Sequence, residues 1–274
     1  MLYHRNVRPK KSLGQHFLKD LSVAERIAQT VSSYPEQPVL EVGPGMGVLT
    51  QFLLRDRRDL TVVELDAESV TYLQTHYPAL NERIIQADFL KLDLTTLFST
   101  PFCVIGNYPY NISSQIFFKV LDYRDQILCC AGMIQKEVAE RLASPPGKKS
   151  YGIISALIQA WYHIEYLFTV EPDVFDPPPK VKSAVIRMTR NSRLQLDCDE
   201  NLFRTVVKTA FNQRRKTMRN SLKSLLGKDN EILVHPVFDK RPEQLSVEEF
   251  IELTRLIDTH TVPNQISNQS DIND

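Results

Sequence analysis

Short apolar runs alternate with amphipathic stretches along the first two thirds of the chain. Residues 39–42, 60–63, 83–85, 102–105 and 127–133 are continuous apolar or β-rich runs of strand length, the pattern of strands covered on both faces. Between them lie stretches with helical spacing. Ser22-Val-Ala-Glu25 reads as a capping box before Val23, Ile27 and Val31, predicting a helix that ends near Ser33, ahead of Pro35 and Pro38. Residues 48–54, 67–75, 113–120 and 136–143 carry the same helical character. Strands alternating with helices predict βαβ units and a mostly parallel sheet.

The rhythm then changes. Residues 164–170 and 184–188 are β-rich runs joined by a loop carrying Pro172, Pro177, Pro178 and Pro179, which predicts an antiparallel pair at one sheet edge. Beyond Asn191 only helical patterns remain, marked by Phe203, Val206, Val207 and Phe211, by Met218, Leu222 and Leu225, and by Phe250, Leu253 and Ile257. The expected organisation is an α/β domain over 1–195 and a small all-α domain over 196–260. A polar, aromatic-free tail over 261–274 is expected to be disordered.

Composition narrows the class. The longest apolar stretch, 127–134, is far shorter than the ~20 residues of a membrane span. The basic N-terminus has no apolar core of a signal peptide. The chain's 4 cysteines form no CxxC pair and sit near no histidine cluster, so the expectation is buried reduced thiols in the cytoplasm, with no metal site.

Net charge is +0, which by itself points to no nucleic acid, but the distribution is uneven. From Arg204 to Lys228 the chain carries Arg204, Lys208, Arg214, Arg215, Lys216, Arg219, Lys223 and Lys228 with no acidic residue between them. Arg5, Arg8, Lys10, Lys11 and Lys19 form a second basic stretch, and acids dominate after Asp229. Either patch alone is consistent with a solvated helix face. Together they point to a local anionic partner.

Two motifs carry chemistry. Glu41-Val-Gly-Pro-Gly-Met-Gly47 lies between a predicted strand and a predicted helix, where a glycine turn lets a ligand approach the backbone at the carboxyl end of a sheet. Its spacing is G-x-G-x-G, not the dinucleotide fingerprint, and alone it is a weak signal. Glu64 ends the next strand, where a carboxylate can accept from both ribose hydroxyls. Asp88 follows the third strand and could accept from an adenine amino group while Phe89 lines the ring. Singly, Glu64 reads as an exposed strand end and Asp88 as a turn residue. In series they point to a nucleoside.

Gly106-Asn-Tyr-Pro-Tyr110 closes the strand 102–105. The adenine amino nitrogen is a poor nucleophile because its lone pair is delocalised into the ring. Asn107 Oδ1 and a backbone carbonyl near Tyr108–Pro109 can accept both N6 hydrogens and stabilise the charge that develops during methyl transfer. Pro109 fixes that carbonyl, and Tyr110 offers a face for a flipped-out base. A plain strand-to-helix turn is the alternative.

These motifs, with Lys11-Ser-Leu-Gly-Gln-His-Phe-Leu18, Gln135-Lys-Glu-Val-Ala-Glu-Arg141, Phe175-Asp-Pro-Pro-Pro-Lys-Val-Lys-Ser183 and Phe211-Asn-Gln-Arg-Arg-Lys-Thr-Met-Arg-Asn220, resemble the KsgA-type (RsmA) ribosomal RNA adenine dimethyltransferases. The resemblance runs from about Lys10 to Ile257. It implies a class I, Rossmann-like S-adenosylmethionine-dependent methyltransferase fold with a mostly parallel seven-stranded sheet, and a C-terminal helical domain. It further implies dimethylation of two adjacent adenosines in the 3′-end hairpin of 16S rRNA, within the small (30S) ribosomal subunit or its precursor, by a monomer linked to subunit biogenesis. By this resemblance His16, Leu18, Gly43, Gly45, Glu64, Asp88, Phe89 and Asn107 bind S-adenosyl-L-methionine. Asn107, Pro109, Tyr110 and Phe175 hold the target base, and Arg214, Arg215, Lys216 and Arg219 grip RNA phosphates.

Two positions depart from the family pattern. Tyr108 stands where leucine is usual; a change is expected to be tolerated because the backbone carbonyl does the work. Lys182 replaces an aspartate, which puts a capping role of that acid in doubt. The competing readings are an Erm-like large-subunit rRNA methyltransferase and a methyltransferase-fold binding factor without activity. The FNQRRKTMRN stretch and the Phe175 loop favour the small-subunit enzyme.

Overall fold

The computed structural model describes residues 10, 14–56, 58–227 and 230–261. Its main sheet has seven strands: β2 (Val39–Val42), β3 (Leu60–Glu64), β4 (Ile84–Gln86), β5 (Phe102–Asn107), β6 (Ile127–Gln135), β7 (Tyr162–Val170) and β9 (Ser183–Arg190). Their order is β4-β3-β2-β5-β6-β9-β7. The run from β4 to β6 is parallel, and β9 is antiparallel to both β6 and β7. This is the class I methyltransferase arrangement, with the antiparallel pair at the edge where the sequence pattern places it. The central strands are apolar throughout because both faces are covered; Val39, Leu40, Val104 and Ile105 are 0% exposed.

After β2 the chain builds outward through β3 and β4, then returns to add β5 on the other flank of β2. A crevice opens at such a switch point, beyond the carboxyl ends of the strands. The parallel register keeps those ends level, since Glu41 lies opposite Val62 and Ile105, and Glu64 opposite Gln86. The loops carrying the glycine turn, Glu64, Asp88 and Asn107 therefore emerge at one edge.

The connecting helices are α1 (Leu21–Ala28), α2 (Thr50–Arg55), α3 (Ala67–His76), α4 (Ser113–Asp122), α5 (Lys136–Leu142) and α6 (Ile153–Gln159). The cap of α1 is Asp20 rather than the Ser22 box read from the sequence. Asp20 Oδ1 accepts from the backbone of Ser22 and Val23 at 2.8 and 3.2 Å and from the Ser22 hydroxyl at 2.7 Å. Two short strands, β1 (Phe17–Leu18) and β8 (Phe175–Asp176), pair with each other in a separate small sheet.

The chain divides into two compact units: Met1–Glu140 with Tyr162–Asn191, and Arg141–Trp161 with Ser192–Asp274. The second contains α7 (Glu200–Asn212), α8 (Met218–Ser221), α9 (Lys223–Leu226) and α10 (Val247–Thr261). Its core is the Phe203, Val206, Val207, Ala210 and Phe211 face of α7, packed against α6 and α10. The sequence boundary near residue 195 leaves 141–161 with the first domain, whereas this segment packs with the helices. Tyr151 sets its ring edge against Phe211 at 5.9 Å, and Gln159 Nε2 donates to the Leu142 and Ser144 carbonyls at 2.7 and 2.9 Å. The expected tail lies, beyond Thr261, outside the described residues.

Candidate active site

A cavity of about 330 Å³ occupies the switch-point edge of the first unit, lined from residue 14 to residue 112. Each sequence-predicted cofactor residue among His16, Leu18, Gly43, Gly45, Glu64, Asp88, Phe89 and Asn107 lines it, as do Pro109 and Tyr110. The Lys11–Leu13 part of the N-terminal motif lies outside the described residues.

The glycine turn is built for close approach. Gly43 and Gly45 have φ of 67° and 57°, a region L side chains rarely adopt, and a Cβ on Gly43 would meet nothing within 4 Å. At Gly43 the backbone presents itself to open space, whereas a Cβ on Gly45 would meet the Phe17 ring at 3.3 Å. Glu64 is 5% exposed and braces the turn, its Oε2 accepting from Gly45 N at 3.0 Å and its Oε1 from Asp66 N at 2.9 Å. A carboxylate has about four acceptor positions, so capacity remains for a ligand hydroxyl. Burial raises its pKa, and the backbone bonds from Asp66 and Gly45 oppose that. The residues present therefore fit a nucleoside cofactor: an open glycine cradle with a held carboxylate beside it.

Deeper in the site, Glu41 is 1% exposed, and its Oε2 accepts from the Thr50 hydroxyl at 2.7 Å. Burial pushes its carboxyl up to about 8, with the Thr50 bond opposing and the nearby Glu64 charge adding to the rise. In the sequence Glu41 is only the first residue of the glycine motif, with no role of its own; its polar character inside an apolar run is the available signal. Asp88 Oδ1 caps the following 3-10 turn by accepting from Leu90 N at 3.0 Å, so the turn role holds for one oxygen. Its Oδ2 lies 3.9 Å from Lys91 Nζ. Lys119, also passed over, donates to the Leu90 carbonyl at 3.2 Å and to that of Leu92, stapling the turn that carries Phe89.

The Asn107–Tyr110 end of the cavity is tied to the segment before α1. Asn107 Nδ2 donates to the His16 carbonyl at 3.2 Å. With the amide nitrogen so engaged, Asn107 Oδ1 is the group left as an acceptor. His16 stacks on Tyr110 at 5.4 Å and 28°, and its Nδ1 lies 2.8 Å from the Pro177 carbonyl. The Tyr110 hydroxyl is bonded to Ser183 Oγ. Burial raises the Tyr110 pKa, so its phenol stays protonated. On the other flank, Lys10 pairs with Asp66 and, at 3.1 Å, with Glu68, pinning the chain ahead of β1 to the loop after Glu64.

Phe175 stands apart from the other named residues. The resemblance makes it a base-stacking residue, but it is 1% exposed and is absent from the cavity wall. It lies opposite Leu18 in the β1–β8 pair, packed into the main core. In this arrangement its ring has no face to offer a base.

The basic candidates belong to the second unit. Arg215 and Lys216 are exposed in the turn after α7. Arg214 Nη2 donates to the Lys148 carbonyl at 3.4 Å, and Arg219 is paired with Asp239. Arg5, Arg8 and Lys228 of the basic stretches lie outside the described residues.

Residues 6–259 match the family model described as ribosomal RNA adenine dimethylase. A Ribosomal RNA small subunit methyltransferase A from Parabacteroides distasonis is 70% identical over 93% of this chain and 96% of its own length. One of the same name from Flavobacterium johnsoniae is 56% identical over 93% and 98%. Among solved structures, a dimethyladenosine transferase from Plasmodium falciparum superposes with a TM-score of 0.76 at 22% identity, covering 89% of this chain and 98% of that one. The 23S rRNA methyltransferase ErmE superposes with a TM-score of 0.65 at 26% identity, over 87% and 99%.

Proposed function

The chain belongs to the ribosomal RNA adenine dimethylase family, and from that premise we propose that it converts two adjacent adenosines in the 3′-end hairpin of 16S rRNA to N6,N6-dimethyladenosine. It is an S-adenosylmethionine-dependent rRNA adenine dimethyltransferase. The observation that carries the residue assignment is the cavity in which the glycine cradle, Glu64 and Asp88 meet the Asn107–Tyr110 segment.

In this reading Glu64 accepts from the cofactor ribose, Asp88 Oδ2 from its adenine amino group, and Phe89 lines the ring. Gly43, Gly45, His16 and Leu18 shape the rest of the pocket. Bound S-adenosylmethionine supplies the methyl group. Asn107 Oδ1 and the Tyr108 carbonyl accept the two N6 hydrogens of the target adenine and stabilise the positive charge that grows on that nitrogen. Pro109 holds the carbonyl in place, since its φ is fixed and it has no N–H to compete. Tyr110, braced by Ser183 and His16, is a preformed stacking platform, worth roughly 1–3 kcal/mol per base. Each transfer leaves an acidic N6 proton that departs to solvent, so positioning and charge stabilisation carry the rate.

The substrate is placed within the small subunit or its precursor and the reaction in the cytoplasm, with the enzyme acting as a monomer. The 4 cysteines are free thiols, as a reducing compartment keeps them. The test is incubation with S-adenosylmethionine and undermethylated small subunits, followed by nucleoside mass spectrometry. Dimethyladenosine at two adjacent 3′-end positions is the expected product, and Asn107→Ala is expected to lower its rate at least a hundredfold, on the order of the effect of deleting one oxyanion-hole donor. Methylation of large subunits instead would assign the chain to the Erm-like activity.

A further inference from the structure

The helical unit places together two basic segments that the sequence keeps 66 positions apart. Residues 141–152 and 211–220 contain no Asp or Glu. They are joined at two points: Arg214 Nη2 donates to the Lys148 carbonyl, and Tyr151 packs edge-on against Phe211. Lys148, Lys149, Arg215 and Lys216 are all exposed, and among the described residues no ion pair engages any of them.

The lysine loop is also held in shape. Gly147 N donates to the Glu243 carbonyl at 2.6 Å, Tyr151 N to the Lys148 carbonyl at 3.1 Å, and the Ser144 and Ser150 hydroxyls meet at 2.9 Å. A loop already ordered loses little conformational freedom on binding. The helix dipole accounts for part of this charge, because Arg214, Arg215 and Lys216 follow the C-terminal end of α7, where cations are favoured. It does not account for Lys148 and Lys149, which follow no helix end. Five cations on two acid-free segments of an ordered surface, none of Lys148, Lys149, Arg215 and Lys216 engaged by an ion pair among the described residues, suit a polyanion with closely spaced charges.

We infer that Lys148 and Lys149 form, with Arg214, Arg215 and Lys216, one composite surface for an RNA phosphate backbone. The inference rests on the proposed rRNA substrate and deepens it, since it assigns an RNA-binding role to a loop that the sequence places in the methyltransferase domain. Phosphate recognition carries little sequence information, so this surface fixes where the RNA lies and leaves choice of base to the cavity.

The experiment titrates the full-length protein with a synthetic RNA of the 3′-end hairpin across a range of potassium chloride concentrations. Removing one cation that neutralises a phosphate makes the slope of log affinity against log salt shallower by about 0.9. The double variant Lys148→Gln/Lys149→Gln is expected to flatten it by about 1.8 and to weaken binding roughly 60-fold at ~0.1 M salt. Its cofactor affinity and thermal midpoint should stay at wild-type values, and Lys148→Arg/Lys149→Arg should restore the slope. An unchanged slope in the glutamine variant, with a shallower one in Arg215→Ala, overturns the composite surface and leaves the RNA reading standing. Unchanged slopes in both overturn the composite surface and the RNA role of the basic turn together, while product formation on subunits reports separately on the rRNA substrate.

Discussion

Tyr108 does two jobs at different ends of one residue. The residue is part of the cavity wall, while its ring turns into the core at 1% exposure. The hydroxyl donates to the Ala131 carbonyl at 2.8 Å and lies 3.3 Å from Cys130 Sγ, and the ring meets Phe117 edge-on at 5.8 Å. The expectation that a change here is tolerated rests on the carbonyl alone, since a sequence motif does not show where a ring points. Tyr108→Leu should retain methylation on small subunits and cost about 1–3 kcal/mol through a missing hydrogen bond and a partly empty site, read as a lower thermal midpoint. Glu41 gives a second residue-scale prediction. Its carboxyl titrates near 8 in the fold and near 4.5 when unfolded, so the unfolded chain releases its proton first. Its contribution to stability is complete below about pH 4.5 and is lost as pH rises towards 8. Glu41→Gln should flatten the fall in thermal midpoint across that window; a fall as steep as in the wild type would assign the dependence to other groups.

At the scale of elements, the strands that position the site are legible because both faces are buried, which writes a continuous apolar run into the chain. The close approach of two of them is not. Gly106 and Gly132 lie opposite each other on β5 and β6. A Cβ on Gly132, where φ is 148°, would fall 2.1 Å from the Gly106 carbonyl oxygen and 2.7 Å from the Tyr108 ring. No local rule marks a glycine in a strand as facing another glycine. Gly132→Ala should push β5 and β6 apart and yield little soluble folded protein, whereas Gly152→Ala, with nothing within 4 Å of its Cβ, should express normally. The β1–β8 pair escapes the sequence pattern for a different reason: two residues per strand carry no period. That pair is what buries Phe175. Phe175→Ala should cost about 3–5 kcal/mol of stability, the range for emptying a buried aromatic site. It should weaken hairpin RNA binding less than Tyr110→Ala does.

At the scale of the whole molecule, a net charge of +0 conceals the basic surface, because the acids that balance it cluster after residue 229. One of those acids reaches back. Asp239 pairs with Arg219, although the sequence groups Arg219 with Arg215 as equal phosphate ligands. An arginine already held by a carboxylate must exchange partners to meet a phosphate, so its net contribution to RNA binding is small. Among the described residues, Arg215 has no such carboxylate to give up. Arg215→Ala should therefore flatten the salt slope for the hairpin RNA by about 0.9, and Arg219→Ala by clearly less. The decisive variant is Asp239→Asn, which keeps the shape of the site, frees the guanidinium and removes a negative charge near the turn. It should tighten RNA binding at low salt and steepen the slope by up to about 0.9. The same affinity as wild type in Asp239→Asn would make Arg219 a structural pin between α8 and the segment ahead of α10, and would confine phosphate binding in this part of the unit to the turn after α7.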